Sequence, residues 1–260
     1  MRIASLALAR GLASVPDLAA LVTESDLLVS TCPPEAAVEV SRAVCGLLPA
    51  SLRGVTYLDL TSISPATAHT IGRSVAASGQ DFVDGSISRS EQRTTLYLAG
   101  ARVAELSAAL RVEGVATRAL SEEPGRASAL KMCTSAVNKS TTLLWGEALR
   151  AAERLGLLEA VLEDLSASFP GIATAIEHRI AVGAAKSARY VFEMEEIART
   201  WEELGLSGQL FLDLAQTCSQ WTDSPLGNLS PEQAYRVARL MVGGSNLVTL
   251  GDLLSMLDPP

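Results

Sequence analysis

One lysine in this chain stands where proton chemistry is possible. Lys131 lies in the stretch from Gly125 to Gly156, GRASALKMCTSAVNKSTTLLWGEALRAAERLG, with Leu130, Met132 and Cys133 around it. A lysine in such company either snorkels its ammonium to the surface or is held in a cleft as a proton donor or acceptor, because burial readily shifts it toward the useful range. The neighbouring residues leave both readings open. Three polar segments each follow an apolar run: Thr31-Cys32-Pro33-Pro34, Asp59-Leu60-Thr61-Ser62 and Asp84-Gly85-Ser86-Ile87-Ser88-Arg89. Any one of them is ordinary turn chemistry. Three at equivalent positions are the pattern of a binding edge, since ligands of open α/β sheets sit beyond the carboxyl ends of the strands. Arg89 closes the third segment with a planar fork suited to a carboxylate or phosphate. It is either an exposed arginine on a loop tip or a group pointing into the cleft of Lys131. In the cleft it would anchor a small anion and help keep the lysine neutral, the state a base requires.

These residues need elements to position them. The Lys131 stretch has no internal proline, Pro124 just before it and a glycine at each end, which predicts one long helix. Ala127, Leu130, Ala136, Val137, Leu144, Ala148 and Ala152 go most of the way round it, so burial on several sides is expected. Before it, runs at 26–31, 55–60, 81–84 and 95–99 read as strands, with helices over 35–48 and 64–78 between them. That alternation calls for a parallel sheet covered on both faces. After it, the chain reads all-helical over 158–168, 171–184, 187–204, 209–220 and 231–241, with Pro170, Gly205, Gly208 and Ser224-Pro225 as separators. The predicted division is an α/β domain over 1–124 and a helical domain over 125–260. No GxGxxG follows any strand. The strand at Leu27–Ser30, apolar on both faces, is expected at a sheet edge or paired by another chain, as though the chain starts late.

Composition narrows the partners. The 260 residues carry a formal net charge of −8, which argues against nucleic acid. No apolar run reaches the roughly 18 residues that span a bilayer. The early Leu/Ala stretch is interrupted by Arg10 and has no good cleavage context, so it is not read as a secretion signal. Cys32, Cys45, Cys133 and Cys218 show no CxxC spacing and read as reduced packing residues of a cytoplasmic protein, with no zinc site. Glu193, Glu195, Glu196, Glu202 and Glu203 read as a solvated helix face, without a histidine in register to make a metal site. His69 and His178 read as surface residues.

Four segments resemble the 6-phosphogluconate dehydrogenase/β-hydroxyacid dehydrogenase superfamily. Asp59-Leu60-Thr61-Ser62-Ile63-Ser64-Pro65 is similar to its strand-end pattern D-x-S-T-x-S-P, and Asp84-Gly85-Ser86-Ile87-Ser88 to its substrate loop D-x-P-V-S. Gly125 to Lys131 resembles the interdomain helix with the catalytic lysine. Tyr190-Val191-Phe192-Glu193-Met194-Glu195-Glu196-Ile197-Ala198 resembles an EMEEIA-type helix of a bacterial branch with its own C-terminal domain. The resemblance implies an N-terminally truncated Rossmann-like parallel sheet followed by an all-helical C-terminal domain, assembled as a homodimer. It implies an oxidoreductase using NADP or NAD on a small hydroxy acid or imine. Lys131 would be the general acid/base and Ser88 a substrate ligand. Cys32, Pro33 and Ser62 would touch the nicotinamide end, and Ser135 and Asn138 would face the substrate. Departures are Arg89-Ser90 in place of Gly-Gly, Ser135 in place of an asparagine, and Glu193 in place of a lysine. The alternative is a non-redox cleft enzyme using Lys131, or a non-catalytic binding protein, on a scaffold that no longer binds NAD(P). Without a glycine loop to hold the pyrophosphate, weak NAD(P)H affinity is expected.

Overall fold

The computed structural model of the chain describes residues 9–48, 54–90, 93–110, 113–173, 175–242 and 249–258. The opening residues 1–8 of the Leu/Ala stretch lie outside them. Two compact units divide the chain, Met1–Lys131 and Met132–Pro260. The division falls inside the long helix rather than before it.

In the first unit a short helix α1 (Leu18–Thr23) precedes strand β1 (Leu27–Ser30). Then come α2 (Ala37–Leu47), β2 (Thr56–Asp59), α3 (Pro65–Ala77), β3 (Asp81–Arg89), β4 (Thr94–Gly100), α4 (Val103–Ala109) and β5 (Val115–Ser121). The five strands form one sheet in chain order. β1, β2 and β3 are parallel, as expected, and so are β4 and β5, but β3 and β4 are antiparallel. The expected parallel sheet is therefore only mostly parallel. Four residues join β3 to β4, too few for the crossover a parallel pair needs, so the two strands close as a hairpin. β1 lies at an edge of the described sheet.

The pleat sorts the side chains. Leu28, Tyr57 and Phe82 share one face and pack with Val44 of α2 and Ala68, Ile71 and Val75 of α3. Leu58, Val83 and Leu98 lie on the other face, under Val103 of α4. Cover on that second face stops short of the β1 edge, where Val29 remains 50% exposed.

The long helix α5 runs from Arg126 to Arg154. Beyond it stand α6 (Leu158–Ser168), α7 (Pro170–Ala173), α8 (Ile176–Ala184), α9 (Ser187–Glu203), α10 (Gln209–Thr222), α11 (Pro231–Val242) and α12 (Leu250–Ser255). The expected helix over 171–184 is thus two helices. The last is short but has a capping box between Thr249 and Asp252, a start signal that offsets its length. In the second unit Met194, Ile180, Leu149 and Trp221 form one core. The Trp221 ring packs against Gly146, where an added Cβ would sit 2.4 Å from it, and its Nε1 donates to Glu147 at 2.7 Å.

Three expectations on packing change. Val137 and Leu144 are exposed, so α5 is not buried all round. Cys133 is exposed, whereas Cys218 is buried. The acidic face of α9 is split. Glu193 and Glu196 are buried, Glu193 between Lys139 (2.5 Å) and Arg189 (3.1 Å), and Glu196 against Arg199 (2.6 Å). A carboxylate turned inward needs such partners, because an unpaired buried charge is heavily penalised.

Candidate functional site

The carboxyl ends of β1, β2 and β3 carry the sequence candidates of the first unit. Ser30, Asp59 and Asp84 stand in one row across the three strands, on one face. Past Ser30 the chain turns through Cys32, whose backbone N–H and sulfur approach the Thr61 hydroxyl at 3.5 and 3.7 Å. This joins the loop after β1 to the loop after β2. Pro33 is exposed and Ser62 half-buried at the rim.

Asp84 to Arg89, expected as a loop, is instead the second half of β3. β2 pairs with β3 only as far as Asp59 opposite Asp84, and residues beyond that are held by β4 alone. The projecting half therefore has one edge unpaired by any strand. On that half Asp84, Ser86 and Ser88 share a face, while Gly85, Ile87 and Arg89 take the other. Arg89 is exposed and does not share the face of Ser88. Gly85 has no room for a side chain, since a Cβ would meet Leu60 at 2.5 Å.

The start of α5 is fixed to this strand. Asp84, 1% exposed, accepts from the Ser128 N–H at 2.9 Å and the Ser128 hydroxyl at 2.6 Å. It thereby satisfies donors that every helix N-terminus leaves open. Gly125, at φ +90°, turns the chain into the helix, and His69 of α3 bonds the Pro124 carbonyl at 2.8 Å. One turn further along, the Lys131 Nζ donates to the Ile87 carbonyl at 2.9 Å. Lys131 is half-buried. The contact holds the lysine nitrogen at the backbone next to Ser88. The Ser88 hydroxyl makes no hydrogen bond to a described residue.

Two buried carboxylates charge the floor. Burial pushes both the Asp59 and Asp84 carboxyls up from their ordinary range. The Thr61 donors pull Asp59 back, as the Ser128 donors do Asp84, without cancelling the cost of burial. The second oxygen of Asp59 has no partner among the described residues, nor has the buried Ser86 hydroxyl. A carboxyl raised in the folded state holds its proton to higher pH there than in the unfolded chain. Stability from this group is thus full below 3.8 and lost as pH rises through the folded value. Asp59→Asn should remove that loss. Urea denaturation from pH 4 to pH 7 is expected to show the variant gaining on the parent as pH rises, and an unchanged difference would contradict it.

Ser135 and Asn138 belong to the second unit. Ser135 is buried. The Asn138 carbonyl accepts from Arg179 at 2.8 Å and from Thr142 at 3.0 Å, and its side chain is exposed. The structure thus brings Lys131 and Ser88 together in one place and joins Cys32 to the loop of Ser62. What the sequence reading missed is the clamp between Asp84 and Ser128. The available signal was an acidic residue at a strand end combined with a serine in the first turn of the longest helix.

Comparison with known proteins agrees with this architecture. Residues 152–221 match a domain of unknown function, DUF1932. The segment Tyr190–Ala198 falls inside that match. An uncharacterized 28.5 kDa protein from Methanothermus fervidus is 29% identical over 145 residues, covering 56% of this chain and 55% of that one. The match therefore spans about half the length of that curated relative. A conserved hypothetical protein of Sinorhizobium meliloti 1021 superposes with a TM-score of 0.65 at 25% identity, over 98% of this chain and 82% of the other. The 3-hydroxyisobutyrate dehydrogenase of Salmonella typhimurium gives 0.66 at 17% identity, over 90% and 87%. The chain has the fold of the 3-hydroxyacid dehydrogenases. The superfamily resemblance drawn from the four motifs is borne out at that level, a mostly parallel sheet followed by a helical region. Among the described residues no helix is long and apolar enough to cross a membrane.

Proposed function

We propose that the chain is an NAD(P)-dependent oxidoreductase acting on a small hydroxy acid or imine, with Lys131 as its general acid/base. The observation that carries this reading is the Lys131 Nζ held 2.9 Å from the Ile87 carbonyl, at the carboxyl edge of the sheet and next to Ser88. A bound nicotinamide cofactor would supply or accept the hydride. Cys32, Pro33 and Ser62 suit the nicotinamide end, because the contact of Cys32 with Thr61 closes their two loops into one rim. These residues fit one end of such a cofactor only, since no GxGxxG stands in the sequence to cradle its pyrophosphate. In reduction the lysine ammonium passes a proton to the carbonyl oxygen or imine nitrogen. In oxidation the neutral amine takes it back from the hydroxyl. Ser88 offers a hydroxyl for the substrate's polar group. Arg89 is left out of this clamp, because the pleat turns it to the other face of β3.

A panel of short 3-hydroxy acids and cyclic imines, assayed with NAD and NADP in both directions, tests the proposal. Cofactor-dependent turnover of either class supports it. Proton exchange or lyase activity that needs no cofactor would favour the non-redox reading instead.

The reading includes a homodimer through the helical unit. Val137 (68% exposed) and Leu144 (66%) lie 7 residues apart on α5, a spacing that puts them on one side of the helix, and Leu155 (72%) follows just past its end. Such an apolar stripe calls for cover. Light scattering should return twice the 27.3 kDa chain mass, and Leu144→Glu should halve it. A single-chain mass for the unaltered protein at every concentration would end this part of the proposal.

A further inference from the structure

The first unit carries a groove that the proposed chemistry does not use. One wall is α3, with His69 and Arg73, and the other is the segment that leads into α5, with Glu122 and Pro124. Phe82, at the start of β3, and Ala101 give it an apolar floor. The volume is about 470 Å³, within the range of small-molecule sites. Gly72 keeps the floor open up to the helix, because a Cβ there would sit 2.9 Å from the Phe82 ring.

Opposite charges stand on the two walls without closing on each other. Arg73 donates to the Thr70 hydroxyl at 3.1 Å but meets no carboxylate among the described residues. Glu122 makes no hydrogen bond or ion pair with any of them. Asp81 also borders the groove and is taken by Arg102 at 3.2 Å. An arginine without a carboxylate is common on this surface, Arg42 of α2 being another, so Arg73 alone would mark nothing. The arrangement marks the groove: a cation on one wall, an anion on the other and an apolar floor between them. A molecule that carries both charges and an apolar body matches it. Its carboxylate suits the guanidinium fork, its ammonium the Glu122 carboxylate, and it brings no net charge that would be left over.

The groove also touches the helix of Lys131. A carbonyl oxygen can only accept, so His69 Nε2 is the donor to Pro124 at 2.8 Å. The same ring presses on Gly125, where a Cβ would sit 2.7 Å from Nε2. A ligand bridging Arg73 and Glu122 would brace this start of α5.

We propose that the groove binds an amino acid with an apolar side chain, its carboxylate on Arg73, its ammonium on Glu122 and its side chain over Phe82 and Ala101. The inference rests on the first unit alone and stands whether or not Lys131 is catalytic. Calorimetric titration of the full chain at pH 7 tests it, with L-leucine, leucinamide, which lacks the carboxylate, and 4-methylpentanoate, which lacks the ammonium. Leucine should bind saturably and each analogue about three- to tenfold more weakly. Arg73→Gln should weaken leucine and leave leucinamide unchanged. Glu122→Gln should weaken leucine and leave 4-methylpentanoate unchanged, and Arg42→Gln should alter none of the three. Arg42, Arg73 and Glu122 are exposed, so the variants are expected to fold, and the ranking of the analogues on the unaltered chain needs no variant. Hydrogen exchange gives the position: saturating leucine should raise the protection of amides between Glu122 and Lys131. The proposal is overturned if leucine does not saturate or if either analogue binds as tightly. It is equally overturned if Arg73→Gln and Glu122→Gln weaken leucine no more than Arg42→Gln does, or if exchange over this segment is unchanged.

Discussion

Lys131→Met should lower turnover of any substrate found in the panel by about 10²- to 10⁴-fold, the usual contribution of a positioned general acid or base. Methionine keeps the length and apolar packing of the stem and removes only the nitrogen. The variant should therefore fold as the parent does. KM should move little, because the Ser88 hydroxyl and the strand around it are untouched. The hydrogen bond from Nζ to the Ile87 carbonyl is lost, but that carbonyl lies on the half of β3 without a second strand partner, where water can replace the donor. A loss confined to kcat would separate proton transfer from binding. A pH profile adds a second readout, for the limb that reports the lysine should vanish from the residual activity. Should the variant retain more than about a tenth of parental kcat, the lysine is not the acid/base and its contact with Ile87 is structural.

The long helix was the most legible part of the chain, and its end signals explain why. Pro124, Gly125 and Gly156 bracket it, and the observed helix, Arg126–Arg154, ends within two residues of each glycine. Local signals of this kind do not depend on what the element packs against. β5 was invisible for the opposite reason: it sits at a sheet edge, and its residues Val115–Ser121 are half-buried or exposed, so no apolar alternation marks it. The turn between β3 and β4 reverses the sheet direction, yet the strand pattern alone reads the same either way. The misreading of Arg89 follows from this. As the end of a loop it was free to point anywhere, but as the last residue of a paired strand its face is fixed by the pleat. Glu193 and Glu196 were misread because their partners Lys139 and Arg199 convert buried carboxylates into satisfied ones, and only the fold brings Lys139 close. The superfamily motifs carried the residue types of the site. The sequence did not reveal that Asp84 and Ser128, 44 residues apart, hold the lysine's helix on the strand.

That clamp predicts the largest effect on stability. Asp84→Ala removes both acceptors of the Ser128 hydrogen bonds and the buried negative end that the helix N-terminus favours. The Ser128 N–H and hydroxyl would be left without partners in a site that is 1% exposed at both residues. Loss of a cap costs about 0.5–2 kcal/mol and an unsatisfied buried donor about 1–3 kcal/mol. Together they give an expected destabilisation of about 3 kcal/mol. Asp84→Asn should cost less, because an amide keeps one acceptor and escapes the burial penalty that raises the carboxyl of Asp84. Both variants must also differ from the parent in their pH response. In the parent, the raised folded value means stability from this group is lost as pH climbs from 3.8 through that value. Neither variant retains this slope, so the gap between parent and Asp84→Asn should narrow toward neutral pH. Hydrogen exchange gives the local readout: amides from Arg126 to Lys131 should lose protection in Asp84→Ala before those of the second unit's core. With the helix start loosened, the Lys131 nitrogen is no longer fixed beside Ser88. Turnover should then fall although neither Lys131 nor Ser88 has been touched, and Asp84→Asn should restore most of it. If Asp84→Ala left both the exchange of this segment and the unfolding free energy within about 1 kcal/mol of the parent, the clamp would not be what positions the lysine.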